Sequence, residues 1–222
     1  MSDQEKGSAR SKVLHASAQM FLERGYEQST MREIAAKAQV KYGSLGFVFK
    51  NKEAILCELV GYVLDSQFEA TEKMLAGKTE DKILFYAAET TLQLYLAESS
   101  EHIREMYAVS YSLPNTSKII YEKITGKLED IFREHLPELE TKDFYEKEIA
   151  SAGIMRSFIT VPCNMYFTMD RKVKSFLEST FLIYRVPDEK IRESIDFVLQ
   201  FDYKKISADV IDNMLEYLES RT

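Results

Sequence analysis

The chain has 222 residues, of which 45% are hydrophobic, and only 8 Gly and 4 Pro, a composition that disfavours a disordered or all-β protein. Its net charge of −7 is unevenly spread: residues 1–52 hold nine Lys and Arg against five Asp and Glu, and the remaining residues hold 20 against 31. A basic head on an acidic body predicts that only the head meets a polyanion such as DNA.

The sequence carries no signature of a membrane protein, a metal protein or an enzyme. No stretch approaches the roughly 18 apolar residues of a membrane span, and the polar start "MSDQEKGSARSK" lacks the apolar run of a signal peptide, so we expect a cytoplasmic protein. The two cysteines and three histidines are scattered, which predicts neither a metal site, a cofactor nor a disulfide. Catalytic Ser/His/Asp spacings and glycine-rich phosphate loops are also missing, which disfavours an enzyme.

Helical periodicity runs through nearly the whole chain, and no stretch alternates with period two. In the head, three helices are expected at about residues 8–24, 31–37 and 42–49. Gly25 follows the first helix, where a left-handed residue is needed, and Thr30 with Glu33 forms a capping box before the second. A tight turn at Gln39 and Val40 leads into the third.

Eight further helices are predicted, over residues 52–76, 79–99, 101–112, 116–136, 142–167, 171–184, 188–201 and 208–220. The helix over 142–167 is the most apolar, and Pro162 in its interior is expected to kink it near Phe158. We therefore expect an all-α fold: a three-helix domain over residues 8–52, joined by a long helix to an all-helical domain over residues 53–222.

Two short helices joined by a tight turn, after a supporting helix, are typical of a helix-turn-helix, whose second helix enters the major groove. The alternative is an ordinary three-helix packing unit with solvated lysines. If this segment binds DNA, side chains at the start of the second and third helices reach bases or phosphates. Lysines after the third helix then pair with phosphates. The candidate contacts are Thr30, Lys41, Tyr42, Ser44, Lys50 and Lys52.

The segment "SKVLHASAQMFLERGYEQSTMREIAAKAQVKYGSLGFVFKNKEAIL" resembles the N-terminal domain of the tetracycline-repressor (TetR) family of bacterial transcriptional regulators. The similarity covers about residues 10–56; beyond it only the length and the all-α pattern match. The resemblance implies a homodimer, a palindromic DNA operator, and a small-molecule effector that controls DNA binding, most often for a repressor. The matching positions are Phe21, Gly25, Tyr26, Thr30, Ile34, Ala35, Ala38, Val40, Gly43, Leu45, Phe49, Lys52 and Glu53.

The third helix departs from the family pattern. The family usually has tyrosine where Gly46 stands and an aromatic residue or histidine at the Phe47 and Val48 positions. Gly46 therefore either removes a DNA contact or lets the backbone approach DNA closely, and Phe47 offers an apolar contact, for instance to a thymine methyl. Gln39 replaces the usual turn glycine, so we expect strain there. A second hypothesis follows: a regulator-like helical dimer with weakened DNA binding that acts through protein partners.

In the body, a kink at Pro162 would leave a gap beside its helix, which predicts a mostly apolar small-molecule site with a few hydroxyls. Arg156, the one charge between Ile149 and Phe167, is either paired within the fold or a dimer, or anchors an acidic effector. The many Tyr and Glu residues fit a cation equally well, so the charge of the effector stays open. The expected walls are Tyr86, Thr90, Tyr95, Met106, Tyr107, Tyr111, Phe158, Cys163, Met165 and Tyr166.

The apolar character of the predicted helix over 142–167 also indicates an assembly. One protomer can cover only part of its surface, and large exposed apolar patches are rare on monomers. We expect this helix, with Ile154 and Phe158, to pair with the segment around Ile195, Phe197 and Val198. Two copies would then form a four-helix interface in a homodimer.

Overall fold

The computed structural model describes the backbone of residues 3–222 and the side chains from residue 7 onward. Over this range the chain forms eleven α-helices and no strand, which confirms the all-α prediction. None of these helices is both long and apolar enough to cross a membrane. The helices are α1 (Asp3–Arg24), α2 (Met31–Lys37), α3 (Tyr42–Val48), α4 (Lys52–Leu75), α5 (Lys82–Glu98), α6 (Glu101–Ser110), α7 (Pro114–Phe132), α8 (Thr141–Thr160), α9 (Met169–Ile183), α10 (Asp188–Val198) and α11 (Tyr203–Glu219).

The head consists of α1, α2 and α3 packed around one apolar core. Phe21 of α1, Ile34 of α2 and Leu45 of α3 are each fully buried in it. The same core continues into the first half of α4 and reaches Met214 and Leu218 of α11. The head is therefore fastened to the body along α4 and α11 rather than tethered by a linker.

Helix α5 is the centre of the body. It packs against α4 and against every helix from α6 to α11, so nearly all of its residues are buried. The side chain of Asp81 caps it by accepting hydrogen bonds from the backbone N–H groups of Ile83 and Leu84, at 2.8 and 3.2 Å. Any polar side chain in the middle of α5 must therefore find its partner inside the protein.

The predicted kink at Pro162 is wrong. Helix α8 ends at Thr160, because Val161 has an extended backbone and a residue before proline disfavours the helical conformation. Residues 161–168 instead form a loop that leads into α9, closed by a turn in which Asn164 and Phe167 exchange backbone hydrogen bonds. The gap expected beside a kinked helix is therefore not present.

Other helix boundaries also differ from the prediction. Helix α5 begins after the cap at Asp81 rather than at Thr79, and α7 begins with Pro114, whose fixed φ suits the first helical position. Helix α11 begins at Tyr203, earlier than the predicted residue 208, because Asp202 caps it through the backbone N–H of Lys205.

The carboxylate of Glu98, at the end of α5, joins three other segments. It accepts hydrogen bonds from Lys172 of α9 at 2.6 Å, from Arg104 of α6 at 2.7 Å, and from the backbone N–H of Cys163 in the loop at 3.1 Å. Burial acts to raise the pKa of Glu98, but the hydrogen bonds from Lys172 and Cys163 outweigh it and hold that pKa below its ordinary value. Lys172 is buried, and this pairing offsets the cost of burying its charge.

The residues predicted to form a dimer interface are largely used within the protomer. Ile195 and Val198 of α10 are buried, and the ring of Phe197 packs 5.2 Å from that of Phe201. Phe158 of α8 likewise packs on Phe176 at 5.8 Å. These side chains are therefore covered mainly within the protomer, because α5 and α9 pack against the apolar side of α10.

Candidate DNA interface and effector cavity

Helices α2 and α3, with the short turn between them, form a helix-turn-helix. The backbone N–H of Val40 bonds to the carbonyl of Ala35 at 3.0 Å, and Leu45 anchors α3 in the core of the head. Gln39 has a φ of 55°, which confirms the strain expected from the missing turn glycine. A left-handed residue other than glycine costs about 1–2 kcal/mol.

The outward side of α3 combines two aromatic rings with two glycines. Tyr42 is 56% exposed and Phe47 is 85% exposed, and Gly43 and Gly46 lie beside them. A Cβ added at Gly46 would meet no atom within 4 Å, so nothing in the protein itself requires glycine there. The surface is therefore shallow between its two rings, and Ser44 is half-buried next to it.

The amine of Lys52, a predicted phosphate contact, is bound within the head. Its Nζ donates hydrogen bonds to the backbone carbonyls of Tyr26 at 2.7 Å and Ser29 at 3.0 Å, and lies 4.1 Å from the centroid of the Tyr26 ring. Burial lowers the pKa of this amine. Lys52 thus fastens the start of α4 to the segment between α1 and α2.

The hydroxyl of Thr30 is also committed within the head. It donates a hydrogen bond to the Glu33 carboxylate at 2.6 Å and accepts one from the Glu33 backbone N–H at 3.3 Å. This confirms the predicted capping box. The hydrogen bond that the Thr30 hydroxyl donates lowers the pKa of the Glu33 carboxyl group. Because the hydroxyl has one proton to donate, it would have to leave Glu33 in order to donate to a phosphate.

Sequence reasoning missed Arg32, which lies exposed in the first turn of α2, its guanidinium 5.9 Å from the centroid of the Tyr42 ring. In the part of the chain that the structure describes, Arg32, Lys41 and Lys50 are exposed and form no ion pair. Arg10, Arg24 and Lys37 are instead paired with Glu58, Glu33 and Glu23. The signal available in the sequence was the position of Arg32, two residues after the predicted cap at Thr30.

The body encloses two adjoining cavities. The first, of about 40 Å³, lies between α4, α5, α7, α8 and α9; the second, of about 50 Å³, lies between α4, α5, α6 and α7. Gln93 and Tyr111 line both, and Gln93 Nε2 donates a hydrogen bond of 2.6 Å to the Tyr111 hydroxyl. Each space holds on the order of three water molecules.

Five of the eleven predicted effector residues meet at these cavities. Tyr86, Thr90 and Tyr111 line the first, and Met106, Tyr107 and Tyr111 line the second. They converge because α5 and α6 pack against each other with these faces inward.

The other predicted effector residues lie elsewhere. Tyr95 stacks on Tyr203 at 5.1 Å, and Arg156 is exposed, with its Nε bonded to Ser112 Oγ at 2.9 Å. Three of the others belong to the loop after α8, which the sequence reading placed inside a helix. The residues that line neither cavity are Tyr95, Arg156, Phe158, Cys163, Met165 and Tyr166, the last two each 80% exposed.

Two acidic residues of the first cavity were not predicted. Glu89 of α5 is 6% exposed and Glu148 of α8 is 4% exposed, and burial raises the pKa of Glu89 to about 7 and that of Glu148 to about 8. Glu89 is the one charge between Lys82 and Glu98. The reasoning applied to Arg156 would have found it.

Helix α6 connects the cavities to the head. His102 Nδ1 lies 3.0 Å from the carbonyl oxygen of Leu22, and Glu105 Oε1 accepts a hydrogen bond of 2.7 Å from the backbone N–H of Glu27. A Cβ at Gly25 would lie 2.2 Å from Glu105 Oε2, so glycine permits both this approach and its φ of +87°. One end of α6 thus touches the head, and the other end lines the cavities.

A helix-turn-helix with exposed cations, joined to an all-helical body, defines a DNA-binding regulator. The family model for bacterial regulatory proteins of the tetR family matches residues 13–59, a segment that includes α2, α3 and the turn between them. The resemblance seen in the sequence is thereby confirmed.

Similar proteins agree with this assignment. The chain is 31% identical over 86 residues to the HTH-type transcriptional repressor KstR2 of Rhodococcus jostii, covering 39% of this chain and 42% of that protein. It is 32% identical over 104 residues to the repressor BepR of Brucella suis, covering 45% and 48%. The matches thus span less than half of each repressor.

The fold is shared with a solved structure. SmeT, the repressor of the Stenotrophomonas maltophilia multidrug efflux pump SmeDEF, matches with a TM-score of 0.54 at 16% identity, over 78% of this chain and 88% of that one. At this identity the likeness extends to the fold alone.

Proposed function

We propose that the protein is a ligand-responsive transcriptional repressor that binds palindromic operator DNA as a homodimer in the cytoplasm and is released by a small-molecule effector. Residues 8–52 form its DNA-binding domain, and residues 53–222 form its effector-binding and dimerisation domain. The observation that carries the proposal is α6, which bonds to the head through Glu105 and lines both cavities with Tyr111.

In the DNA complex, α3 lies in the major groove. Tyr42, Ser44 and Phe47 face the bases, with Phe47 suited to a thymine methyl. Arg32, Lys41 and Lys50 neutralise phosphates, and the backbone at Thr30 lies against the DNA strand. The exposed positions of these side chains, apart from the half-buried Ser44, support this assignment.

Effector binding requires the body to open. Since each cavity holds about three waters, a larger molecule must part the side chains between them. The hydrogen bond between Gln93 and Tyr111 is the contact that has to break. Tyr111 directly follows α6, so its displacement moves this helix and changes the bond between Glu105 and the head.

We place the homodimer surface on α9 and α10. Leu182 is 67% exposed and Leu199 is 44% exposed, and both line one groove between these helices. A second copy related by a two-fold axis would cover them. Leu182→Asp should therefore give monomers in sedimentation, whereas Met165→Asp, at an exposed residue outside the groove, should leave the dimer intact. Dimers that survive Leu182→Asp would disprove this surface.

The function is tested by selecting bound fragments from genomic DNA with the purified protein. A repressor of this kind retains a palindromic sequence, with an affinity that falls steeply as salt rises. The shallow surface at Gly46 favours one alternative, a helical dimer with weakened DNA binding that acts through protein partners. No sequence enrichment in the selection would decide for that alternative.

A further inference from the structure

The first cavity contains two carboxylates that face it from different helices. Glu89 comes from the middle of α5 and Glu148 from the first half of α8. Both are more than nine-tenths buried, and both line the same space. Because the two charges repel each other, nothing in the fold itself favours this pairing.

Among the described side chains Glu89 has no hydrogen-bonding or ion-pairing partner, and the positive charge of Lys127 offsets its burial only in part. Within residues 7–222 its carboxylate forms no ion pair and no hydrogen bond, and Glu148 receives one side-chain hydrogen bond, from Ser151 Oγ at 3.1 Å. The cation that could pair with Glu89 is Lys127 of α7, which also lines the cavity. Lys127 is exposed, and its Nζ lies 4.8 Å from the centroid of the Phe68 ring instead of forming an ion pair with Glu89.

The remaining walls of the cavity are mostly apolar and aromatic. The rings that line it come from α4, α5, the end of α6 and α9, and belong to Phe68, Tyr86, Tyr111 and Phe176. Aromatic faces attract cations, and they do so more strongly where water is excluded. A buried carboxylate without a partner is costly, so a positively charged ligand would gain from both features.

The geometry points to an organic ammonium ion as the ligand of this cavity. Its positive nitrogen lies between the carboxylates of Glu89 and Glu148, and its alkyl or aryl part lies against the rings. This assignment rests on the proposed role of the cavity as the effector site, and it names the chemical class of the effector.

The test uses two probes of the same shape: choline, and 3,3-dimethylbutan-1-ol, in which a neutral carbon replaces the ammonium nitrogen. Calorimetric titration of the DNA-free protein at about pH 9, above the pKa values of both carboxyl groups, should show that choline binds at least about tenfold more tightly than the alcohol. Glu89→Gln and Glu148→Gln should each weaken choline about tenfold or more and leave the alcohol unchanged. Glu101→Gln, at an exposed position of α6, serves as the control and should change neither.

Absence of choline binding, equal binding of both probes, or choline binding that is unchanged in both cavity variants would each overturn the inference. Glutamine keeps the shape of glutamate and removes a buried charge, so the variants should fold, which circular dichroism verifies. Because these titrations contain no DNA, their failure leaves operator binding untouched. A failure of the DNA selection likewise leaves the ligand result standing.

Discussion

Gln93 of α5 donates a hydrogen bond of 2.6 Å to the hydroxyl of Tyr111 at the end of α6, and these two side chains stand between the two cavities of the body. Tyr111 is half-buried, and burial of its hydroxyl raises the pKa of that group well above the ordinary value, so it stays a neutral hydrogen-bonding group. A neutral hydrogen bond between α5 and the end of α6 therefore lies at the boundary between the two cavities.

Tyr111→Phe removes this hydrogen bond and little volume. The free energy of unfolding should fall by about 1 kcal/mol. Opening the cavities then costs less, so a bulky cation such as benzyltrimethylammonium should bind several-fold more tightly in calorimetry. Tyr217→Phe, whose hydroxyl meets Arg221 on the surface, is the matched control and should change neither quantity. Weaker binding in Tyr111→Phe would contradict a closed resting state.

Glu105→Ala should uncouple ligand binding in the cavity from DNA binding by the head. The backbone N–H of Glu27 loses its acceptor, so its hydrogen exchange should accelerate, while exchange at Glu33, within the capping box, stays slow. Benzyltrimethylammonium should still bind, but it should no longer lower DNA affinity in a fluorescence-anisotropy titration. Glu101→Ala on the same helix is the control. Release of DNA as in the wild type would show that the signal takes another route.

Arg32→Ala and Lys50→Ala should each weaken binding to all DNA sequences similarly and flatten the salt dependence by about one unit per lost phosphate contact. Lys52→Ala should instead lower the melting temperature of the protein, because its amine fastens α4 to the carbonyls of Tyr26 and Ser29. An unchanged salt slope in both Arg32→Ala and Lys50→Ala would exclude them as phosphate contacts.

Gly46→Tyr should tighten DNA binding, since the space around Gly46 admits a side chain and a phenol supplies a phosphate or base contact. Gly46→Ala is the control: it should stabilise α3 by about 1 kcal/mol without adding a DNA contact. Affinities for a selected operator decide the matter. Loss of binding in both variants would instead show that the α3 backbone approaches DNA at this position.

The stability of the body should depend on pH through Glu89 and Glu148, whose pKa values are raised to about 7 and about 8. A raised folded-state pKa means that the folded protein holds protons which the unfolded chain releases, so stability is fully present in acid and is lost as pH rises through these values. The melting temperature should therefore fall from about pH 5 to about pH 8.

Glu89→Gln and Glu148→Gln should each flatten this fall and raise the melting temperature at the alkaline end. The neighbouring Tyr86, Tyr107 and Tyr111 keep their protons over this range, since burial raises the pKa of all three hydroxyls. A pH profile shared by wild type and both variants would mean that other groups govern the titration.

The head could be read from the sequence because its signals are local. Gly25 and the pair of Thr30 and Glu33 fix helix ends within a few residues, and the strain at Gln39 follows from a single missing glycine. The error at Pro162 was also local: the residue before a proline ends a helix more readily than it begins a kink.

The cavity could be predicted only in part, because its walls come from five helices that are distant in sequence. Tyrosines and methionines on inward faces identified one side of it. Tertiary packing places Glu89 and Glu148 at the same cavity and brings Lys52 to the backbone carbonyls that it bonds. No local pattern in the sequence encodes either arrangement.

The hydrogen bonds of the Glu98 carboxylate hold one position of α6 in place. Arg104 is bound there, whereas Tyr111 lies seven residues further along, about 10 Å of helix away. Helix α6 can thus rotate about Arg104, near its start, and Glu105 is the residue next to this fixed point. A displacement of an ångström or two at Tyr111 reaches the head as a small rotation, and hydrogen bonds weaken steeply as their angle bends. In the function proposed above, the signal from the cavity accordingly reaches the operator as a change in the angle of α6, and the release of DNA requires no large movement of the body.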